Sequence, residues 1–190
     1  MQHVPDTPIA TSLGADLRAL RKARGLTLHA LAQQLGRSIG WVSQIERDLS
    51  APDHDDLRQI AKSLCVPVSL FFGHTKAPAH EHGHVVRADA RRAIGAANGL
   101  TESLVSPDLT DDFEMVHSTF EPHSQIASVV TRPTQEVGYL ISGRLDIEIG
   151  ARQFTIHPGD SFRIRGQHYR WANPHDEPCV AIWVIAPPVY

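Results

Sequence analysis

The sequence predicts an α+β protein with its two classes in separate domains: an all-α N-terminal bundle of four or five short helices, then an all-β C-terminal half. Three observations carry this. Apolar residues recur at helical spacing only in the first third. Short strand-like runs bounded by turn residues fill the second half. Between them lies a polar, Ala/His-rich stretch with no sustained period. A length of 190 residues allows one ordinary domain or two small ones.

The helices come first. Leu13, Leu17 and Leu20 form one apolar stripe; Leu28, Leu31, Ala32 and Leu35 form a second. Val42, Ile45 and Leu49 form a third, and Leu57, Ile60, Ala61 and Leu64 a fourth. Each is the buried face of a short amphipathic helix. Gly25 ends the first helix and Thr27 caps the second; Gly36 ends the second and Ser38 caps the third; Pro52-Asp53 opens the fourth. A last turn, Val68–Phe72, stops at Gly73. Helices of roughly 8–12 residues are too short to stand unless packed together. Cys65, near the end of the fourth helix, is expected to pack in the core.

The strand-like runs are Phe113–Phe120, Val137–Ile141, Leu145–Ile149, Ser161–Ile164 and Val180–Ile185. Leu145, Ile147 and Ile149 alternate with Asp146 and Glu148, so one face is buried and the other wet. Many short strands at this spacing suggest a sandwich or jelly roll. The expected organisation is a tail (1–12), a helical domain (13–73), a linker (74–97) ending in a strand near Val85-Val86, and a β domain (98–190).

Composition narrows the function. Eighteen Lys+Arg against 21 Asp+Glu give a formal net charge of −3, which argues against a simple basic protein that coats nucleic acid or membrane. No apolar run approaches the roughly 18–20 residues of a membrane helix, and MQHVPDTPIATS is no signal peptide. The expectation is a cytoplasmic protein without a membrane partner. Only two cysteines, Cys65 and Cys179, are present, which excludes a disulfide framework and a Cys-rich zinc site. Neither a phosphate-cradling Gly-rich loop nor a Ser/His/Asp or Cys/His nucleophile arrangement is legible, so the chain is not expected to be an enzyme.

The second helix, the turn at Gly36 and the third helix have helix-turn-helix proportions. Across Leu13–Phe72 the stretches LRALRKARGLTL, ALAQQLG, WVSQIER, the Pro that follows and LRQIAKSLCVPVSLFF resemble the xenobiotic-response-element (phage-repressor) type of DNA-binding domain. The resemblance implies that Ser38–Arg47 is the recognition helix in the major groove. Its first turn would expose Ile39, Gly40 and Trp41, and its next turn Ser43 and Gln44, with Val42 and Ile45 inward. The Gln44 amide can pair bidentately with adenine, and Ile39 can touch a thymine methyl. Gly40 lets the backbone approach closely. Arg37, Arg47 and the helix starts at Thr27 and Ser38 suit phosphates, which position without specifying. A core position is the alternative for Trp41, since a large aromatic on a short helix is usually at least half buried. The resemblance also implies an Arg21–Glu46 pair. Helices 1–3 hold Arg18, Arg21, Lys22, Arg24, Arg37 and Arg47 against Asp16 and Glu46, so local rather than net charge favours DNA.

In the second half, RPTQEVGYLISGRLDIEIG and HPGDSFRIRGQHYRWANPHDEP resemble a cupin, a small jelly roll. Metal-dependent cupins carry His-x-His-x3-Glu and one later His. The matching positions here are Val130, Arg132, Glu136 and Tyr169, so only Glu136 of the ligand set remains and no metal cofactor is expected. A one-residue register shift would bring in His168 instead, but the Tyr169/Trp171/Asn173 alternation favours Tyr169 on the inward face. Arg132 offers a planar fork for a carboxylate or phosphate. Glu136 suits Arg132 or a ligand amine. Tyr169 and Trp171, with Tyr139 or Trp183, would line an aromatic pocket. Together these residues suit a zwitterion or an amine-bearing acid. An Arg132–Glu136 pair closing a purely structural barrel is the alternative.

The order helix-turn-helix then cupin resembles bacterial small-molecule-responsive regulators. It implies a homodimer, often a repressor, whose two heads straddle a pseudo-palindromic double-stranded DNA operator while the cupin senses a small-molecule effector. A metal-dependent cupin enzyme, and an effector-free repressor that uses the cupin only to oligomerise, are the alternatives. His80, His82 and His84 would share one face of an extended chain and there hold a metal between subunits, or are solvated linker residues.

Overall fold

The computed structural model describes residues 12–72, 79–81, 83–107, 109 and 111–189. The chain divides into two compact units, one running to Arg91 and also including Pro107 and Leu109, the other made of Arg92–Ser106 and the chain from Asp111 onward. The division into a helical and an all-β region holds.

The helical unit contains α1 (Leu13–Ala23), α2 (Leu28–Leu35), α3 (Ile39–Ile45) and α4 (His54–Leu64), followed by a 3-10 turn, Val68–Phe71. Each helix is opened by a side chain. Ser12, Thr27, Ser38 and Asp53 accept the N–H groups of Ala15, Ala30, Trp41 and Asp56. Such a cap contributes about 1 kcal/mol by satisfying a donor that the helix leaves orphaned. Leu17, Leu20, Leu31, Leu35, Val42, Ile45, Ile60, Leu64 and Leu70 form the buried core. Gly14 lets α1 come close to the end of α3: a Cβ there would lie 2.3 Å from the Ile45 carbonyl oxygen.

Two sequence expectations fail in this unit. Leu49 is exposed rather than part of the third stripe. The helix has already stopped at Ile45, and Asp48 turns the chain with φ 55°. Cys65 is exposed rather than core. It is the C-cap of α4 in the left-handed conformation, which swings its side chain off the apolar stripe.

The β unit has ten strands: β1 (Arg92–Ala97), β2 (Leu100–Leu104), β3 (Glu114–Phe120), β4 (Ser124–Gln125), β5 (Gln135–Ser142), β6 (Leu145–Ile149), β7 (Arg152–Ile156), β8 (Ser161–Arg165), β9 (Tyr169–Asn173) and β10 (Cys179–Ala186). They form a six-stranded sheet, β1-β2-β3-β10-β5-β8, and a four-stranded sheet, β4-β9-β6-β7. All pairings are antiparallel. Val116, Phe120, Leu140, Leu145, Ile147, Ile164, Trp171, Ala181 and Trp183 are among the residues of the core. Gly138 is obligatory there, because the ring of Phe162 occupies the space its Cβ would need.

Val85 and Val86 lie outside any strand. The strand in that region is β1 instead, inside the stretch expected to be linker. It is an edge strand paired only with β2 and mostly exposed, so it lacks the apolar alternation that reveals a strand in sequence. β7 was hidden for the same reason. His82 lies outside the described residues. His80 sits in a 3-10 turn, Ala79–Glu81, and His84 in a turn, so the extended run needed to align the histidines is not formed there. No described helix is long and apolar enough to cross a membrane.

Candidate nucleic-acid interface and ligand site

Gly36, left-handed at φ 63°, turns the chain between α2 and α3. Val42 and Ile45 anchor α3 to the core, leaving Ile39, Gly40, Gln44 and Arg47 exposed and Ser43 and Trp41 partly so. Trp41 is half-buried: it lines one small cavity with Leu17, Leu31 and Leu35, and the Arg37 guanidinium stands 5.1 Å from its ring centroid. Arg37 also pairs with the buried Asp56 at 2.6 Å, which fixes its direction at the start of the α3 turn. Arg47 donates to the Ser43 carbonyl at 3.2 Å and remains exposed.

The end of α3 is held from behind. Arg21 donates to both carboxylate oxygens of Glu46, at 2.5 and 3.0 Å, with both side chains buried. The third arm of the guanidinium binds the Leu26 carbonyl at 2.6 Å. The Glu46 hydrogen bond and charge raise the Arg21 pKa further above its ordinary value, against the opposing effect of burial. Of the six cations counted on helices 1–3, Arg21 is thus structural. Arg24 also has a structural bond, to the Leu64 carbonyl at 3.0 Å. Arg18 and Lys22 are exposed.

In the β unit, Glu136 is fully buried on the inward face of β5. The Thr134 hydroxyl donates to one of its oxygens at 2.7 Å and the Tyr169 hydroxyl to the other at 3.3 Å. Burial, then the nearby carboxylates, push the Tyr169 phenol well up, so it stays a donor. Tyr169 faces in and His168 faces out, with Val130 and Tyr169 exchanging backbone bonds at 2.8 and 2.9 Å. Trp171 and Trp183 are inward and buried, packed on Phe120 and Phe162 respectively. Arg132 is half-buried and makes no hydrogen bond, and no ion pair within 4 Å, with any described residue. The Arg132–Glu136 pair is therefore not a closed contact.

Tyr139 needs correction. It is 49% exposed on the outward face of β5. It lies three positions after Glu136, and an odd step along a strand reverses the face. Val137 and Ile141 flank it outward, also about half exposed.

Sequence reasoning missed two carboxylates. Glu102 on β2 accepts the Ser118 hydroxyl at 3.1 Å, and the buried Glu114 on β3 accepts the Val189 N–H at 3.0 Å. Burial is the main cause pushing both above the ordinary carboxylate range, with Arg132 opposing it. The signal was present. Glu102 shares strand parity with Leu100 and Leu104, and Glu114 with Val116 and Phe120, so each is an acid on an apolar face.

The positions of the cupin metal set do not fit a metal. Their donors are one carboxylate already holding two hydroxyls, a phenol that stays protonated, a valine and a cation. A surface depression of about 470 Å³ on the four-stranded sheet, among Gln125, Asp146, Glu148 and Arg170, includes only Trp171 of the expected ligand residues.

Residues 12–71 match a helix-turn-helix domain and residues 116–185 a cupin domain. The chain belongs to the helix-turn-helix transcriptional regulators that carry a cupin domain. Over 154 residues this regulator is 24% identical to the HTH-type transcriptional regulator PuuR of Escherichia coli (strain K12), covering 80% of this chain and 81% of that one. Over 63 residues it is 41% identical to the HTH-type transcriptional regulator SutR of the same organism, covering 33% and 35% of the two chains. A solved HTH_3 family transcriptional regulator from Vibrio cholerae is 23% identical, with 95% of this chain and 97% of that one covered and a TM-score of 0.43. The cupin domain of an XRE family transcriptional regulator from Enterobacter cloacae is 22% identical, with 47% and 98% covered and a TM-score of 0.43.

Proposed function

We propose that this regulator reads a pseudo-palindromic DNA operator with the outward face of α3 and adjusts its grip when the β domain binds an amine-bearing acid. The observation that carries the first part is the exposed row Ile39, Gly40 and Gln44 on α3, with the exposed Arg47 in the turn just beyond it, the helix being anchored by Val42, Ile45 and the Arg21–Glu46 pair. Gln44 is the base reader. Arg37 and Arg47, with the cap hydroxyls of Thr27 and Ser38, hold phosphates. The observation that supports the second part is a half-buried Arg132 that makes no hydrogen bond or ion pair with any described residue, within electrostatic reach of Tyr169, which holds the buried Glu136. The cupin serves as a sensor rather than a catalyst, in the cytoplasm.

A homodimer places two reading heads on one operator, with half-sites about 34–36 Å apart or a multiple of that. Val137, Tyr139 and Ile141 form the outward apolar row that a second copy would cover, continued on β10 by their register partners Ile182 and Val184. Effector and operator affect each other's affinity by the same factor, because the coupling is reciprocal.

The test selects the preferred operator from random duplexes with the full-length protein. It then measures binding of Gln44→Ala and Arg47→Ala to that operator and to random DNA. Gln44→Ala should lose about 1–3 kcal/mol on the operator only, and Arg47→Ala should weaken both alike. Equal losses of Gln44→Ala on both duplexes remove Gln44 as the reader.

A further inference from the structure

We propose that the ligand of the β domain is a cationic diamino acid, its carboxylate held by Arg132 and its two ammonium groups by Glu136 and the Glu102/Glu114 side of the same sheet face. This rests on the reading that the interior is the effector site, and it deepens that reading. The strand register makes the case. Ile185 pairs with Glu114 on one side and with Glu136 on the other, so these two acids stand two strands apart in one row. That is about 9–10 Å between their backbones. Glu102 lies opposite Ser118, four residues along β3 from Glu114, which is about 13 Å along the strand.

The hydrogen bonds recorded for all three acids come from neutral donors. Ser118 serves Glu102, the Val189 amide serves Glu114, and Thr134 and Tyr169 serve Glu136. The one guanidinium that acts on Glu102 and Glu114, Arg132, reaches neither within ion-pair distance. Burying carboxylates this way is costly without cations. Donors on the same face are unsatisfied as well. Trp183 is 5% exposed, and its buried Nε1 has no acceptor. Its ring lies 6.1 Å from that of Tyr169, the residue that holds Glu136.

Among the described residues, the face thus offers no hydrogen-bond acceptor to Trp183 Nε1, no acceptor or ion-pair partner to Arg132, and no cation within ion-pair distance of the glutamates. A carboxylate supplies the acceptor and ammonium groups the cations. With three carboxylates facing one guanidinium, the complement carries more ammonium than carboxylate. No three described His, Cys, Asp or Glu side chains are placed to hold a metal.

The test is calorimetric binding to the full-length protein with four probes: L-lysine, L-norleucine, 6-aminohexanoate and 1,5-diaminopentane. L-lysine should bind at least about tenfold more tightly than each of the others, since every one lacks a charged group that lysine has. Glu102→Gln and Glu114→Gln should weaken L-lysine while leaving L-norleucine unchanged, and Arg132→Gln should bring L-lysine to the level of 1,5-diaminopentane. Circular dichroism and operator binding check that the variants are folded; the comparison among probes needs no variant. If L-norleucine equals L-lysine and Glu136→Gln abolishes both, the interior is the site but the diamino class is wrong. If 1,5-diaminopentane equals L-lysine, the carboxylate contact is wrong. No binding by any probe overturns both this inference and the reading beneath it.

Discussion

Replacing Arg21 by Met tests what holds α3 in place. The pair spends two hydrogen bonds on Glu46 and one on the Leu26 carbonyl, and its side chains are only 8% and 5% exposed. Removing the guanidinium leaves a carboxylate buried against the core beside α3. Breaking a buried pair from one side costs about 3–5 kcal/mol. A helical unit of this size holds only about 3–9 kcal/mol, at 0.05–0.15 kcal/mol per residue. Arg21→Met should therefore bring the helical unit close to its unfolding midpoint at 25 °C. The double change Arg21→Met/Glu46→Met should recover most of the loss, because it removes the stranded charge as well. The assay is urea unfolding of the full chain followed by circular dichroism at 222 nm, where the helical unit dominates. A loss below about 1 kcal/mol for the single variant, or a double variant no more stable than the single, would refute the reasoning.

Two further outcomes follow from the β unit. Burial raises the folded-state pKa of Glu114, so the neutral acid favours the fold: its contribution is complete below the unfolded carboxylate value and is lost as pH rises through the folded one. Glu114→Gln should thus raise the melting temperature at pH 8 and flatten its dependence between pH 5 and 8; a lower melting temperature than the parent at pH 8 would contradict this. Gly138→Ala places a Cβ 2.2 Å from the Phe162 ring and should cost about 1–3 kcal/mol. Phe162→Leu in the same chain should recover part of that in denaturant unfolding, and a parental midpoint for Gly138→Ala alone would show that the ring yields freely.

The sequence by itself determined the helices and the exposed face of α3. Their apolar spacing, their cap residues and the Gly36 turn are local properties, and local rules decide where Val42 and Ile45 point. The inward placement of Tyr169, Trp171 and Glu136 was legible for the same reason, since alternation along one strand needs no knowledge of the partner strand. That rule, applied strictly, would also have turned Tyr139 outward. Tertiary structure decided the rest. Edge strands such as Arg92–Ala97 bury too little to leave a pattern. Leu49 and Cys65 left the core because the chain turns left-handed at Asp48 and at Cys65 itself, which apolar spacing does not encode. Glu102, Glu114 and Glu136 became neighbours on one face only when β10 settled between β3 and β5. Register between strands distant in sequence is a property of the packed sheet, and the alignment of these buried acids lives there.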